Sequence, residues 1–302
     1  MIRPDLTTLR IVLAVYNLGN ISKAAEREHI APSAISKRIH ALEAEIGTEL
    51  FYRSIRGVSA TPAGEVLVRH AVAIINNIDQ MAAELGAFTS GIKGQVRIHA
   101  HTSAVFQFLP DQLSQFIVMY PDVRIVLREE TSSDVIESVI DGFADIGILP
   151  SHMDIPPFLD VLAYRHDRLV AVIPVDHPLS RRRAVDFNEL RDSNFIGMET
   201  GSSLQMLVAR AAEQSGFMLK VCIEVMSFES AKAMVKAGFG IAVLPEIVVN
   251  ESEIGGVARR VDISNDWAIR EHVICVKDKE RLTASVALIM RHLLAPTAAH
   301  GR

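Results

Sequence analysis

Cysteine is nearly missing from this chain: Cys222 and Cys275 are the only two in 302 residues. So few exclude a disulfide-stapled fold and a cysteine-rich zinc scaffold. Both lie in strand-like patterns, KVCIEV and HVICVK, which predicts buried core thiols in a reducing cytoplasm. No apolar run is long enough to span a membrane, and MIRPDLTTLR lacks a signal-peptide core. A cytoplasmic protein with no membrane partner is expected. There is no phosphate-binding Gly-rich loop, no zincin helix motif and no nucleophile motif. No catalytic residue, metal site or cofactor is therefore expected. His99 and His101 share a strand face but have no evident further ligands, so they read as surface or hydrogen-bonded histidines. His177 stands in a turn-like DHPL, and Asp141 and Asp145 flank Gly142 as helix-end and strand-start residues.

What is present is a folded chain, 49 % hydrophobic and long enough for two domains. It is organised around ISKAAEREHIAPSAISKRIHALEAEIGTELFYRSIRGVSATPAG, residues 21–64. A first helix, Leu6 to Leu18, precedes it, with a stripe of Leu6, Leu9, Leu13 and Tyr16 and an end at Gly19. In the next helix Ser22 is the expected N-cap, and Ala24 and Ala25 allow close packing. A turn at His29 to Ala31 leads to a helix opening on Pro32. Ile35, Ile39, Leu42 and Ile46 form its inner face, while Ser33, Lys37 and His40, with Ser36 nearby, point outward. Short polar groups near a helix N-terminus, with a cation one turn on, suit the major groove of DNA. An ordinary amphipathic helix pair has the same periodicity. Leu50–Arg53 and Val58–Thr61 then read as a hairpin turning through Ile55, Arg56 and Gly57, with Arg53 and Arg56 where a wing would meet DNA. Thr61 is the expected cap of a helix beginning at Pro62.

The stretch AAEREHIAPSAISKRIHALEAEIGTELFYR and the following TPAG resemble the winged helix-turn-helix of LysR-type transcriptional regulators. Further matches are PDVRIVLREETSSDVIESVIDGFADIGIL, LVAVIPVDHPL and FESAKAMVKAGFGIAVLP. The resemblance implies a transcriptional regulator that binds double-stranded DNA and responds to a small molecule. It would act as a homodimer or homotetramer. Ser22, Ala31, Pro32, Ser33, Ser36, Lys37, His40, Arg53 and Arg56 are the candidate DNA contacts. The family usually has Ser or Thr, then Gln, before the Pro; here Ile30 and Ala31 stand there. The recognition helix thus lacks its usual side-chain cap and an amide that commonly reaches DNA. A solute-binding protein is the alternative. Net charge is −5, but residues 1–70 hold 9 Lys/Arg against 7 Asp/Glu, and the rest 22 against 29. With so small a basic excess, DNA affinity must come from charge placement and dimerisation.

A long helix is expected from Pro62 to about Phe88. Leu67, Ala71, Ile74, Ile78, Met81, Leu85 and Phe88 alternate steps of four and three, a heptad seam suited to a partner helix. Leu67, Ile74, Ile78, Met81 and Leu85 are the candidate dimerisation residues. Thr89-Ser90-Gly91 and Gly94 read as a break and hinge.

From Gln95 onward strands and helices alternate, which predicts an α/β architecture with parallel strands. One helix is expected over Phe106–Met119. The resulting fold class is α/β: an N-terminal winged helix-turn-helix (1–66), a long linker helix and hinge (67–92), and a two-subdomain, periplasmic-binding-protein-like effector domain (93–302). By resemblance the chain crosses between subdomains near Leu162–His166 and Ser264–Ala268. Subdomain I is then about 93–163 with 268–302, and subdomain II about 164–267. Hydroxyl-rich loops at strand ends, His101-Thr102-Ser103, Thr131-Ser132-Ser133 and Thr200-Gly201-Ser202-Ser203, face the expected crevice. A small anion, especially a carboxylate, suits such loops where they open helices. Ser133, Ser202 and Ser203 read equally well as plain N-caps. The candidate effector residues are His101, Thr102, Ser103, Thr131, Gly201, Ser202, Ser203 and Phe228, the last as an apolar wall.

Overall fold

The computed structural model describes residues 4–54, 57–90, 93–249 and 256–295; the side chains of residues 79, 80, 83, 84 and 86–90 also fall outside that set. Ile55, Arg56, Gly91 and the side chains of Phe88, Thr89 and Ser90 thus lie outside the described residues. The chain divides into two units, Met1–Gly94 with Ile140–Phe143, and Gln95–Val139 with Ala144–Arg302.

The first unit begins with α1 (Leu6–Leu18), capped by Asp5, whose carboxylate accepts from the Thr8 amide at 2.6 Å. Gly19 ends it in the left-handed conformation. The buried face is Thr8, Leu9, Ile11, Val12, Ala14 and Val15. The expected stripe was therefore misplaced: Leu6 is exposed, and Leu13 and Tyr16 only flank the core. A helix apolar on most sides does not reveal its inner face by spacing; the elements packed on it decide. Next come α2 (Ile21–Glu28) and α3 (Pro32–Ile46). Two short strands follow, β1 (Phe51–Ser54) and β2 (Gly57–Ala60), paired antiparallel with Phe51 opposite Ala60. The hairpin is stitched to the end of α1, the Val58 amide donating to Gly19 O at 2.8 Å. Gly57 has φ +135°, and a Cβ there would lie 2.6 Å from that same oxygen, so only glycine fits. Then comes α4 (Pro62–Ser90), capped as expected by Thr61, which accepts from the Gly64 amide at 3.1 Å. The helix runs through Thr89 and Ser90, where a break was expected, because these residues are weak helix formers rather than breakers.

The second unit contains β3 (Gly94–Ala100), α5 (Thr102–Gln107), α6 (Leu109–Met119), β4 (Val123–Glu129), α7 (Ser132–Ile140) and β5 (Ile146–Pro150). Two helices stand where one was expected. Pro110 lacks the amide that would continue the ladder, so the chain restarts at Leu109. Then follow β6 (Asp160–Pro174), β7 (Ala184–Val185), β8 (Asn194–Met198), α8 (Ser203–Gln214), β9 (Lys220–Val225), α9 (Phe228–Lys236), β10 (Ala242–Pro245), β11 (Ala258–Ile263), β12 (Ile269–Val276) and α10 (Ala284–Leu294).

The strands are mixed rather than all parallel. β3 pairs β5 in parallel and β8 pairs β9 in parallel, but β12 runs antiparallel to β5 and β6. The long strand β6 serves both subdomains. Its Asp160–Arg168 part pairs β12, whereas Leu169–Pro174 pairs β10 and β11. The first crossing therefore lies at Arg168/Leu169, beyond the expected Leu162–His166. It is a continuous strand, which gives no turn signal in the sequence. The second crossing lies in Ser264–Ala268, between β11, which ends at Ile263, and β12, which begins at Ile269. Each subdomain has its own core, Val96, Ile98, Phe116 and Ile146 among the first, and Val172, Phe187, Phe195 and Val261 among the second. β9 pairs only with β8 among the described residues, so Cys222 on it is exposed, against expectation, while Cys275 is buried.

Candidate functional site

The helix-turn-helix is built by its caps. Asn20, not Ser22, caps α2, accepting from the Lys23 amide at 3.1 Å; Ser22 sits exposed one position into the helix. His29 ends α2 in the left-handed conformation (φ 56°), and Ala31 opens α3 with no side-chain cap hydrogen bond among the described residues. Ile35, Ile39 and Leu42 are buried beneath α3. Ala31, Pro32, Ser33, Lys37 and His40 are exposed and Ser36 is half-buried. Arg38, beside them, is held by Asp5 Oδ2 and Thr8 Oγ1, both at 3.1 Å. Glu43 is buried and accepts from the Leu50 amide at 2.9 Å, which ties α3 to the wing. Sequence reasoning missed that contact because Glu43 looks like a surface residue. Arg53 is exposed on β1, next to exposed Tyr52; Arg56 lies outside the described residues.

Along α4 the heptad seam has two parts. Leu67 and Ala71 are taken up by the first unit's own packing. Ile74, Met81 and Leu85 are 42 %, 54 % and 61 % exposed, and Ile78 is half-buried.

In the second unit the candidate residues gather around the crossing strands, together with residues not foreseen. Asp167 on β6 stands opposite Arg270 on β12. Arg270 Nε donates to Asp167 Oδ1 at 2.8 Å and Nη2 donates to Oδ2. Gln107 Nε2 also donates to Oδ2, at 2.7 Å. His272, two residues along β12 and on the same face, puts Nε2 3.0 Å from Asp167 Oδ1, off the line of a good hydrogen bond. Its Nδ1 meets His101 Nε2 at 3.0 Å, with the two rings stacked. Ser103 Oγ accepts from Arg270 Nη2 at 3.2 Å. The His152 ring is close to the Ser203 main chain, and Phe106 lies edge-on to Phe228 at 5.7 Å. Loops of both subdomains thus meet over the crossing. Arg270 and His272 are the buried positions of the polar run Arg270-Glu271-His272, and the run itself gave no sign of which of its members turn inward.

The other candidates are mainly caps. Thr131 accepts from the Asp134 amide at 3.3 Å at the start of α7, and Ser202 accepts from the Gln205 amide at 3.2 Å at the start of α8. Thr102 is half-buried, Ser203 is buried, and Gly201 is exposed with φ 94°. His99 and His101 are both buried and hydrogen-bonded, the second of the two expected readings. His99 Nδ1 lies 2.8 Å from Glu130. Among the described residues no group of three or more His, Cys, Asp or Glu could hold a metal ion.

Burial favours a neutral Asp167, but contacts from His272 and Arg270 outweigh it and hold the carboxyl well below its ordinary value. Burial, then the neighbouring His272 and Arg270, push His101 well below 6.5. Burial also lowers His272, against the pull of Asp167. Both rings are therefore neutral when folded, and their stabilising effect is whole above the ordinary value. As pH falls below 6.5 the unfolded chain takes up protons that the folded rings refuse, so stability is lost progressively. The urea midpoint is expected to drop between about pH 7.5 and pH 5.5, and His101→Gln should flatten that drop. Equal slopes in parent and variant would show that the pair does not set the response.

Residues 6–65 match the model described as a bacterial regulatory helix-turn-helix protein of the lysR family, and residues 89–297 match the LysR substrate binding domain. The chain belongs to the LysR family. It is a DNA-binding transcriptional regulator with an effector-binding domain, not an enzyme or a stand-alone solute binder. It is 29 % identical over 240 residues to the transcriptional dual regulator GltC of Bacillus subtilis, covering 76 % of this chain and 80 % of that one. The RuBisCO operon transcriptional regulator of Acidithiobacillus ferrooxidans is 28 % identical over 296 residues, covering 97 % and 94 %. A full-length OxyR variant from Pseudomonas aeruginosa shares the fold with a TM-score of 0.73 at 20 % identity, covering 97 % of this chain and 94 % of that one. CbnR in complex with its target DNA has a TM-score of 0.69 at 18 % identity, covering 96 % and 99 %. Among the described residues of this LysR-family regulator, no helix is long and apolar enough to cross a membrane.

Proposed function

We propose that α3 is the DNA-reading helix of this regulator and that its effector is a small organic anion held between the two subdomains. Ser33, Ser36, Lys37 and His40 would face the major groove, with Ala31 and Pro32 allowing close approach and Ser22 near the backbone. Arg53, with Arg56, would meet phosphates from the wing. Thr102, Ser103, Thr131, Gly201, Ser202, Ser203 and Phe228 would surround the effector, with His101 beneath. One observation carries the effector half: loops of both subdomains meet over the crossing strands, His152 at Ser203 and Phe106 at Phe228. A small molecule seated there touches both subdomains and can bias their angle, by as much as its affinity differs between the two arrangements.

A gel-shift on the gene's own upstream region, repeated over a salt series, tests the DNA half. Arg53→Ala is expected to weaken binding on all sequences and to flatten the salt slope by about one phosphate contact. An unchanged slope would put Arg53 away from DNA. For the effector half, small carboxylates are added to the same assay with Thr102→Ala and Ser202→Ala. Effector-free binding should stay near the parent's while the response weakens. A response undiminished in both variants would move the site elsewhere.

A further inference from the structure

Arg270 is 2 % exposed, yet part of its guanidinium is unused. Nε and Nη2 are engaged by Asp167, and Nη2 is also held by Ser103. Nη1 is out of solvent and has no hydrogen-bond partner among the described residues. A buried charged donor without an acceptor is costly and is rarely left so. The neighbouring acceptors are already occupied, and His272 Nε2, which also lacks a hydrogen-bond partner, lies 3.0 Å from Asp167 Oδ1. Asp167 receives Gln107 as well as Arg270, and His101 and His272 bond each other. What remains close is His152, exposed at the crevice, near the Ser203 main chain and influenced by the Arg270 charge.

Resting on the reading of this crevice as the effector site, we propose that Arg270 is the effector's anchor: its open Nη1 takes an oxygen of a carboxylate entering between His152 and Ser203. Asp167 already neutralises most of the guanidinium charge, so a singly charged anion fits better than a dianion such as sulfate. One open nitrogen offers an end-on contact rather than the two-pronged grip of a free arginine. Ser103 is a positioning residue here, since it fixes Nη2 and so aims Nη1 away from Asp167. The carboxylate displaces the His152 ring from beside Ser203, and with it a contact between the two subdomains. Anchoring and the change of subdomain angle are thereby one event.

The test is thermal shift and calorimetry on the full chain at constant ionic strength. The probes are acetate, propionate and butyrate, with the matching amides and sulfate as controls. Saturable stabilisation by the carboxylates but not by the amides or sulfate is expected, weakened about tenfold or more in Arg270→Lys. The exposed variant His152→Ala keeps the test open should Arg270→Lys fold poorly, and it is expected to bind the carboxylates severalfold more tightly because no ring competes. The proposal falls if carboxylates and amides act alike on the parent, or if neither variant changes carboxylate affinity. If carboxylates bind parent and Arg270→Lys equally but Ser202→Ala loses them, the crevice stands and the anchor is wrong.

Discussion

Asp167→Ala is expected to destabilise the second unit by about 3–5 kcal/mol, the cost of leaving a buried charge unpaired. The Arg270 and Asp167 side chains are 1 % and 4 % exposed, so solvent cannot replace the lost carboxylate. The substitution also strips Gln107 of its acceptor and leaves His272 facing an uncompensated guanidinium. Removing both partners is a different experiment. Asp167→Leu combined with Arg270→Met deletes the charge together with its counter-charge, and apolar groups of similar size often serve as well as a buried pair. The double variant should therefore recover most of the stability lost by Asp167→Ala. Urea unfolding of the full chain, followed by circular dichroism, measures both. A single-variant cost under about 1 kcal/mol would mean that water reaches Arg270 and that the pair is not sealed.

Met81→Asp is expected to give a lighter species than the parent at low protein concentration. On a single chain Met81 is 54 % exposed and Leu85 61 %, in an apolar row on one side of a 29-residue helix. A helix of that length gains most of its stability from packing, and these positions stay mostly uncovered within the described chain. An aspartate in an apolar helix seam costs several kcal/mol because its charge must be desolvated without a partner. Leu67→Asp is the matched control. Leu67 packs against the core of its own unit, so that substitution should unfold the helix-turn-helix rather than dissociate a folded chain. Light scattering and circular dichroism on the two variants separate the cases. An unaltered mass for Met81→Asp would place the dimer contact elsewhere.

Local signals carried the helix-turn-helix. Pro32 at a first helical position, Gly19 as a stop and Thr61 as a cap act through a few adjacent bonds, and the sequence alone located α1 and the starts of α3 and α4 to the residue. The heptad of α4 and the family resemblance across the rest were legible in the same way. Where a choice lay between two local partners, tertiary packing made it: Asn20 over Ser22 as a cap, Ile11 and Val12 over Leu6 as the inner face. The crevice was visible in its hydroxyl loops but not in its floor. Asp167 and Arg270 are 103 residues apart and meet only because β6 and β12 pair antiparallel at the crossing, in a register fixed by the apolar residues around them. Charged residues at such positions look like surface positions in a sequence. Only the folded sheet buries them, and burial without water is what makes an aspartate, an arginine and two histidines depend on one another.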